Sequence, residues 1–156
     1  FDLSNALKAI KNEIINCKIC HGITEINPCK ICSDGRRDPN LICLVESPYD
    51  VFVLEKLNSF KGRYHILGGT LSPLDGVGPD DLNINSLLDR IKEGMEVIIA
   101  TNPSVEGETT ALYICKILSE VNVSISKLAR GVPVGSDLEY VDDATLIRAM
   151  EGRVSI

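Results

Sequence analysis

The sequence predicts an α/β fold in which a parallel sheet covered by helices follows one helix and a small four-cysteine module. Three observations support this fold class. Short apolar runs alternate with helical patterns from residue 41 onward, which is typical of a parallel sheet with crossover helices. Two Cys-x-x-Cys pairs lie upstream, and a polar, turn-rich stretch at 33–40 separates them from the sheet. In such a sheet, functional residues collect at the carboxyl ends of the strands.

The helices and strands follow from the spacing of apolar residues. A helix is predicted at 3–15, where one face carries an apolar stripe that needs a partner: Leu3, Ala6, Leu7, Ile10 and Ile14. Ser47 and Pro48 are typical of a helix start, and Gly94 of a helix end. Strands are expected at 41–46, 64–67, 96–100 and 124–128. The other helices are expected at 48–59, 83–93, 105–120 and 142–150.

The net charge of −6 argues against strong autonomous binding to nucleic acid, because counterion release requires clustered lysines and arginines. Residues 1–45 contain six basic and five acidic residues, whereas residues 46–156 contain ten basic and seventeen acidic ones. The second part therefore favours a partner or metal surface over a DNA groove. No apolar stretch reaches the roughly 18 residues of a membrane span, and no secretory signal is visible. The chain has no initiator Met, so we expect a fragment or a processed form.

The four paired cysteines predict a metal site. Cys17-x-x-Cys20 and Cys29-x-x-Cys32 are separated by eight residues, and each turn can point two thiolates at one ion. Two such turns complete the tetrahedral shell that Zn²⁺ prefers, and a closed four-sulfur shell is structural rather than catalytic. A zinc ribbon of this size cannot bury a core of its own, so metal binding would supply much of its folding free energy.

The alternatives for these cysteines are disulfides or a redox Cys-x-x-Cys, and the paired spacing in a chain of non-secretory character favours the metal. His21 adjoins Cys20 and could replace a thiolate, but four cysteines already fill the shell. Cys43 lies in an apolar run and Cys115 in a helical pattern, so both are expected to be small core residues.

Polar residues follow the first and third strands of the predicted sheet. Glu46 ends the first strand, and a polar segment at 101–108 follows the third. A carboxylate at one strand end, beside a polar loop at a neighbouring strand end, is how α/β enzymes build a Mg²⁺ site.

This arrangement resembles the Toprim domain, a Rossmann-like parallel-sheet domain of topoisomerases, primases and some nucleases. That family holds Mg²⁺ with a Glu after its first strand and an Asp-x-Asp motif after a later one. Glu46 takes the Glu place, whereas Asn102 and Ser104 stand where the two aspartates are expected. Because Mg²⁺ needs carboxylates, the departure implies a catalytically inactive centre. Glu106 and Glu108 match the family's Glu-Gly-Glu continuation; they either compensate for the lost charge or stabilise the first turn of a helix.

Three longer segments narrow the resemblance to the RecR family of DNA-repair recombination mediators. They are residues 67–79, residues 100–108 and residues 131–142, in which Ser136 stands at a place usually taken by glycine. A four-cysteine ribbon directly upstream completes the pattern. The resemblance covers the chain from residue 3 onward.

In the RecR family a helix–hairpin–helix DNA-binding segment precedes the ribbon, and residues 3–15 resemble only its end. The resemblance implies four parts: a helix remaining from that segment (1–16), the zinc ribbon and connector (17–40), the Toprim domain (41–140), and a C-terminal helix and tail (141–156). It also implies a tetrameric ring that clamps DNA in the full-length family. For this shorter chain we expect a dimer formed through the C-terminal Toprim region.

The resemblance implies mediation rather than catalysis. RecR acts with RecO, and in some pathways RecF, to load the strand-exchange recombinase onto single-stranded DNA coated with single-strand-binding protein. The candidate RecO surface at the strand ends consists of Glu46, Asp50, Asn102, Glu106 and Glu108. The alternative for these acids is an ordinary solvated face. We expect a bacterial, cytoplasmic protein with no membrane partner.

Arg36 and Arg37 in the connector are candidate phosphate contacts for single- and double-stranded DNA, although exposed arginines are common anywhere. The glycine-rich loop at 68–79 is either a structural connection or a contact with a partner or subunit. Two other functions are alternatives to the mediator. One is a Toprim-type magnesium-dependent phosphoryl-transfer enzyme (nuclease or primase-like), and the other is a zinc-ribbon protein unrelated to DNA. Neutral Asn102 and Ser104 favour the mediator over the enzyme.

Overall fold

The computed structural model describes residues 2–154, which separate into two units. The first unit ends at Ser126 and the second begins at Lys127. The helices are α1 (Leu3–Glu13), α2 (Lys30–Ser33), α3 (Pro48–Glu55), α4 (Ile84–Leu88), α5 (Val105–Leu118) and α6 (Asp143–Glu151). The strands are β1 (Ile15–Asn16), β2 (Ile23–Thr24), β3 (Leu41–Val45), β4 (Arg63–Ile66), β5 (Glu96–Ile99) and β6 (Ser124–Lys127). None of the helices in the described range is long and apolar enough to cross a lipid bilayer.

Strands β3 to β6 form one sheet in the order β4-β3-β5-β6. The strand β3 runs parallel to both of its neighbours, with Val45 opposite Ile66 and Leu44 opposite Ile99. This topology confirms the predicted α/β fold with its parallel sheet. Because β3 and β5 are neighbours and point the same way, the residues that follow them meet at one edge of the sheet.

Strand β3 is apolar along its whole length because each of its faces packs against a separate cluster. Ile42 and Leu44 belong to the larger cluster, which includes residues of β5 and α5. Cys43 and Val45 belong to the smaller one, together with Val51 of α3. Cys43 is therefore a core residue, as predicted.

Four helices are shorter than the sequence predicts. Helix α1 ends at Glu13 rather than near residue 15, because Ile15 opens strand β1, and α5 ends at Leu118 rather than near residue 120. Helix α4 ends at Leu88 rather than near residue 93, and turns lead from it to Gly94, whose φ is +82°. Helix α3 ends at Glu55 rather than near residue 59, shortly before Asn58 adopts a φ of +51°. A left-handed residue cannot continue a right-handed helix, and apolar spacing alone does not reveal where such a residue falls.

The ribbon is a short hairpin followed by one helical turn. Strands β1 and β2 pair antiparallel, with Ile15 opposite Thr24, and α2 begins after Cys29. The backbone N–H of Ile66 in β4 donates to the carbonyl of Cys20 over 2.9 Å. The ribbon is thus joined to the outer strand of the sheet by a main-chain hydrogen bond.

The apolar stripe of α1 lies at the surface of the described structure. Leu3, Leu7, Ile10 and Ile14 are all exposed. In the second unit, a short 3₁₀ helix at Leu138–Tyr140 precedes α6, and Asp142 caps α6 by accepting a hydrogen bond from the Thr145 N–H over 2.9 Å. That unit also exposes large apolar side chains, which are Val134, Leu138, Tyr140, Ile147 and Met150.

Candidate metal centre and strand-end site

The side chains of four cysteines converge in the ribbon. The Sγ atoms of Cys17, Cys20, Cys29 and Cys32 lie within 4.8 Å of one another, and all four residues are buried. Cys20 Sγ and Cys29 Sγ are 3.6 Å apart. A disulfide needs about 2.05 Å, whereas a tetrahedral site with Zn–S bonds of about 2.3 Å separates its sulfurs by about 3.8 Å. The spacing therefore fits a four-sulfur metal site.

Backbone hydrogen bonds hold the two cysteine turns. The N–H groups of Gly22, Cys29 and Cys32 each donate to a cysteine Sγ over 3.4 Å. The Lys18 N–H donates to Asn27 Oδ1 over 2.9 Å, which ties the first turn to the segment that leads into the second. N–H donors directed at sulfur stabilise the thiolate, which is the form that binds a metal.

The thiols change one another's ionisation. A hydrogen bond with Cys32 lowers the pKa of Cys20 to about 5, while the same bond and burial raise the pKa of Cys32. Burial also raises the pKa of Cys29. One thiolate is thus stabilised by neighbouring thiols that keep their protons, and a divalent cation would replace those protons.

His21 lies outside the set of four sulfurs. Its Nε2 is 2.8 Å from Ser86 Oγ, and its ring meets the His65 ring edge-on with centroids 5.3 Å apart. Burial lowers the pKa of His21. Its side chain therefore bridges the ribbon to the start of α4. Cys115 is half-buried against the larger core cluster on α5, away from the four ribbon cysteines.

Sequence reasoning missed a buried polar network beside the ribbon. His65 is fully buried in β4, and its Nδ1 lies 2.8 Å from Arg90 Nη1. Since arginine can only donate, Nδ1 accepts, and the proton on Nε2 is donated to the Asn83 carbonyl over 2.8 Å. Burial lowers the pKa of His65 to about 3, so the ring is neutral. The only sequence signal for this network was a histidine between Tyr64 and Ile66 in a predicted strand.

The strand-end site brings together Glu46, after β3, and Asn102, after β5. Glu46 Oε1 accepts a hydrogen bond from the Asn102 backbone N–H, and Oε2 accepts one from the Asn102 side-chain amide, each over 2.7 Å. Both oxygens of the carboxylate are thus engaged by one neighbouring residue. Two donors on one carboxylate satisfy its charge without a cation.

Gly107, in the first turn of α5, permits this close approach. A Cβ at this position would lie 2.2 Å from the Asn102 carbonyl oxygen and 3.0 Å from Glu46 Oε1. Ser104 caps the helix, since its Oγ accepts from the Gly107 N–H over 3.0 Å. Ser104, which stands at the second aspartate place of the Toprim motif, therefore serves the helix start.

The other candidate partner residues differ in accessibility. Asp50 Oδ2 accepts from the backbone N–H of Ser47 over 2.8 Å and from its hydroxyl over 2.9 Å, so Asp50 closes the start of α3. Glu106 is exposed in the first turn of α5, and Glu108 is half-buried there. Glu106 is the acid that this edge offers most openly to solvent.

The two connector arginines have different environments. The Arg36 side chain is 90% exposed and pairs with Asp34 over 2.8 Å. The Arg37 side chain is only 16% exposed; it donates to both oxygens of Glu55 over 3.0 and 2.5 Å and to the Gly62 carbonyl over 3.0 Å. The hydrogen bonds of Arg37 hold the connector on α3, which leaves Arg36 as the accessible cation of the two.

The chain is similar to known recombination proteins along nearly all of its length. A family model described as the Toprim domain matches residues 40–129, and one described as RecR, C-terminal, matches residues 131–154.

Three relatives, each named Recombination protein RecR, illustrate the likeness. The protein of Tropheryma whipplei (strain Twist) is 53% identical over 153 residues, which are 97% of this chain and 77% of that protein. The protein of Desulforudis audaxviator is 52% identical over 153 residues, with the same shares. The protein of Chloroherpeton thalassium is 50% identical over an alignment of 159 positions, which covers 97% of this chain and 78% of that protein. These relatives support a role in recombination and repair, and with the domain matches they show that the chain belongs to the RecR family.

Proposed function

We propose that this chain is a non-catalytic recombination mediator whose Toprim domain serves as a binding surface. The hydrogen bonding between Glu46 and Asn102 is the observation that carries the proposal. In a magnesium site, carboxylate oxygens face the ion. Here the carboxylate of Glu46 faces two N–H donors, and the place of an aspartate is filled by an amide.

The proposal assigns one structural Zn²⁺ ion to Cys17, Cys20, Cys29 and Cys32. The mutual distances of their sulfur atoms and their complete burial support this assignment. Four thiolates close the coordination shell and leave no position for water or substrate. When bound, the ion would cross-link the two cysteine turns and stabilise the ribbon rather than take part in a reaction.

The proposed partners are RecO, with RecF in some pathways, and single- and double-stranded DNA. We assign RecO to the strand-end edge, where Glu106 is exposed beside Glu46 and Asn102. Arg36, exposed in the connector, is the proposed phosphate contact. A family member of this kind would act in the bacterial cytoplasm, and loading of the strand-exchange recombinase would be the outcome of its binding events.

Self-association is part of the proposal: a dimer for this chain and a tetrameric ring for longer family members. The exposed stripe of α1, at Leu3, Leu7 and Ile10, supports it, because exposed apolar surface of this kind marks association sites. The proposed division into a terminal helix (1–16), ribbon and connector (17–40), Toprim domain (41–140) and C-terminal part (141–156) assigns the ring contacts to the two ends of the chain.

Calorimetric titration of the chain with its cognate RecO tests the proposal. We expect saturable binding that Glu106→Arg weakens, because charge reversal at the strand-end edge opposes a basic partner. Glu120→Arg, an exposed acid just after the opposite end of α5, is the matched control and should bind like the parent. Equal binding by both variants would move the contact elsewhere. Magnesium-dependent cleavage of DNA, lost in Glu46→Gln, would instead establish the enzyme.

A further inference from the structure

Arg90 carries a positive charge into a part-buried position between the sheet and the ribbon. Its Nη1 donates to the carbonyls of Ile19 and Tyr64 over 3.1 and 2.9 Å, and to His65 Nδ1 over 2.8 Å. These acceptors are neutral, and within residues 2–154 no carboxylate forms an ion pair with it. A guanidinium does not lose its proton in proteins, and burying an uncompensated charge is costly. A counter-charge is therefore expected nearby.

The four-cysteine cluster supplies that counter-charge. The acceptor Ile19 lies inside the first Cys-x-x-Cys turn, between Cys17 and Cys20. Burial lowers the pKa of Arg90 and the positive charge of Arg63 adds to this, while electrostatic attraction to Cys32, Cys20 and Cys17 acts in the opposite direction. Four thiolates around one divalent ion leave a net negative charge, so a cation at this position would stabilise the loaded centre.

We propose that Arg90 is a positioning cation for the metal centre: it holds the first cysteine turn against β4 and offsets the negative charge of the metal–thiolate cluster. This inference rests on the proposed zinc site. In this proposal Arg90, which lies outside the ribbon, contributes to the affinity of the ribbon for its metal. Outer-shell groups of this kind orient the ligands and tune the affinity without touching the metal.

A closed set of hydrogen bonds fixes the guanidinium. Arg90 donates to His65, His65 donates to the Asn83 carbonyl, and the Asn83 amide donates to the Ile66 carbonyl over 3.0 Å. The Ile66 N–H donates a hydrogen bond to the Cys20 carbonyl, which lies in the ribbon. Arg90 is thus held from the sheet side, and in this proposal metal loading and the docking of the ribbon on β4 are coupled.

The test measures Zn²⁺ affinity by competition with a chromogenic chelator, and the thiolate-to-metal absorption after Co²⁺ substitution. Arg90→Gln keeps N–H donors but removes the charge, and we expect it to weaken metal affinity about 10–100-fold. Arg90→Lys keeps the charge and should recover most of that loss, to within about 10-fold of the parent. Lys116→Gln removes a positive charge from an exposed side chain on α5, outside the ribbon, and should match the parent.

Each outcome of this test supports or overturns the proposed role of Arg90. Parent-like affinity of Arg90→Gln would overturn the role of Arg90 and leave the zinc site standing. Failure of the parent chain to bind Zn²⁺ would overturn the zinc site and the role of Arg90 together. If Arg90→Gln does not fold, Arg90→Lys is decisive: affinity close to that of the parent supports the charge, and a loss of 10-fold or more contradicts it.

Discussion

The ribbon and the strand-end edge are both clusters of side chains of the kind that bind metal ions. They differ in the groups that stabilise their negative charge. In the ribbon, four buried sulfurs converge on one another, and the N–H donors around them come from short backbone turns. At the strand end, Asn102 occupies both oxygens of Glu46. In the proposed assignment a cation completes the first cluster, whereas hydrogen bonds from Asn102 stabilise the second.

The strand end keeps the backbone arrangement of a metal site, although an amide stands where a carboxylate would be needed. The parallel order of β3 and β5 still brings the residues after the two strands together. Replacing an aspartate by Asn102 changes an acceptor into a donor, and the donor binds the remaining carboxylate. In the proposed function, this edge serves as a surface for another protein.

The largest effect is expected when the ribbon loses its metal. Cys29→Ser should lower the free energy of unfolding by about 3 kcal/mol or more, because the metal supplies much of the stability of a ribbon this small. Thermal unfolding of the parent with and without a strong chelator measures how much the metal contributes to stability. Cys115→Ser, a half-buried cysteine outside the cluster, is the control and should respond to the chelator like the parent. A parent chain whose Tm the chelator leaves unchanged would contradict the comparison.

The ribbon side should also be the acid-sensitive side of the molecule. Burial depresses the pKa of His65 from 6.5 to about 3. Between these two pH values His65 is protonated in the unfolded chain but not in the folded chain. The contribution of the neutral His65 to the free energy of unfolding is therefore complete above pH 6.5 and is lost as the pH falls toward 3. The loss is at most about 1.4 kcal/mol per pH unit. His65→Gln should flatten the dependence in this range, measured by urea unfolding in excess Zn²⁺; parallel curves would show that His65 does not contribute.

At the strand end, the close packing around Gly107 can be broken directly. Gly107→Ala places a methyl group against the Asn102 carbonyl and Glu46 Oε1. We expect it to cost about 1–3 kcal/mol, as overpacking does. Gly35→Ala is the matched control because a Cβ there meets no atom within 4 Å, and its change should stay within about 0.5 kcal/mol. Equal stability of the two variants would show that the contact is not maintained in solution.

A smaller change should restore the lost chemistry of that edge. Asn102→Asp sets a second carboxylate beside Glu46, and repulsion raises the pKa of the pair. The folded state then holds protons more tightly than the unfolded one, so the variant should lose about 1 kcal/mol at neutral pH and recover it in acid. Millimolar Mg²⁺ should also restore the loss. Asn85→Asp, exposed on α4, controls for the added charge, and an Asn102→Asp chain indifferent to both pH and Mg²⁺ would contradict this account.

The main features of the fold were predictable because they leave periodic signals. The continuous apolar run of β3 predicted a strand buried on both faces, and the alternation of strands and helices predicted the parallel order. The spacing of the two Cys-x-x-Cys pairs predicted four sulfurs around one point, and the structure brings them together. The positions of Glu46 and Asn102 after neighbouring strands predicted their proximity.

The rest depended on contacts between residues far apart in the sequence. Nothing local indicates that Arg37 pairs with Glu55, so this ion pair could not be predicted from the sequence. Arg90 follows a helix as an ordinary polar residue, and its role appears only once the ribbon is placed against β4. The direct hydrogen bonding of Asn102 to Glu46 likewise required the geometry of the α5 start, where Gly107 leaves room.

Titration of the metal-free chain with Zn²⁺, followed by Mg²⁺, tests the contrast between the two clusters most directly. We expect one tightly bound Zn²⁺ per chain and no binding of Mg²⁺ at millimolar concentration. Binding of Mg²⁺ that Glu46→Gln abolishes would contradict it, because the strand end would then be a working cation site.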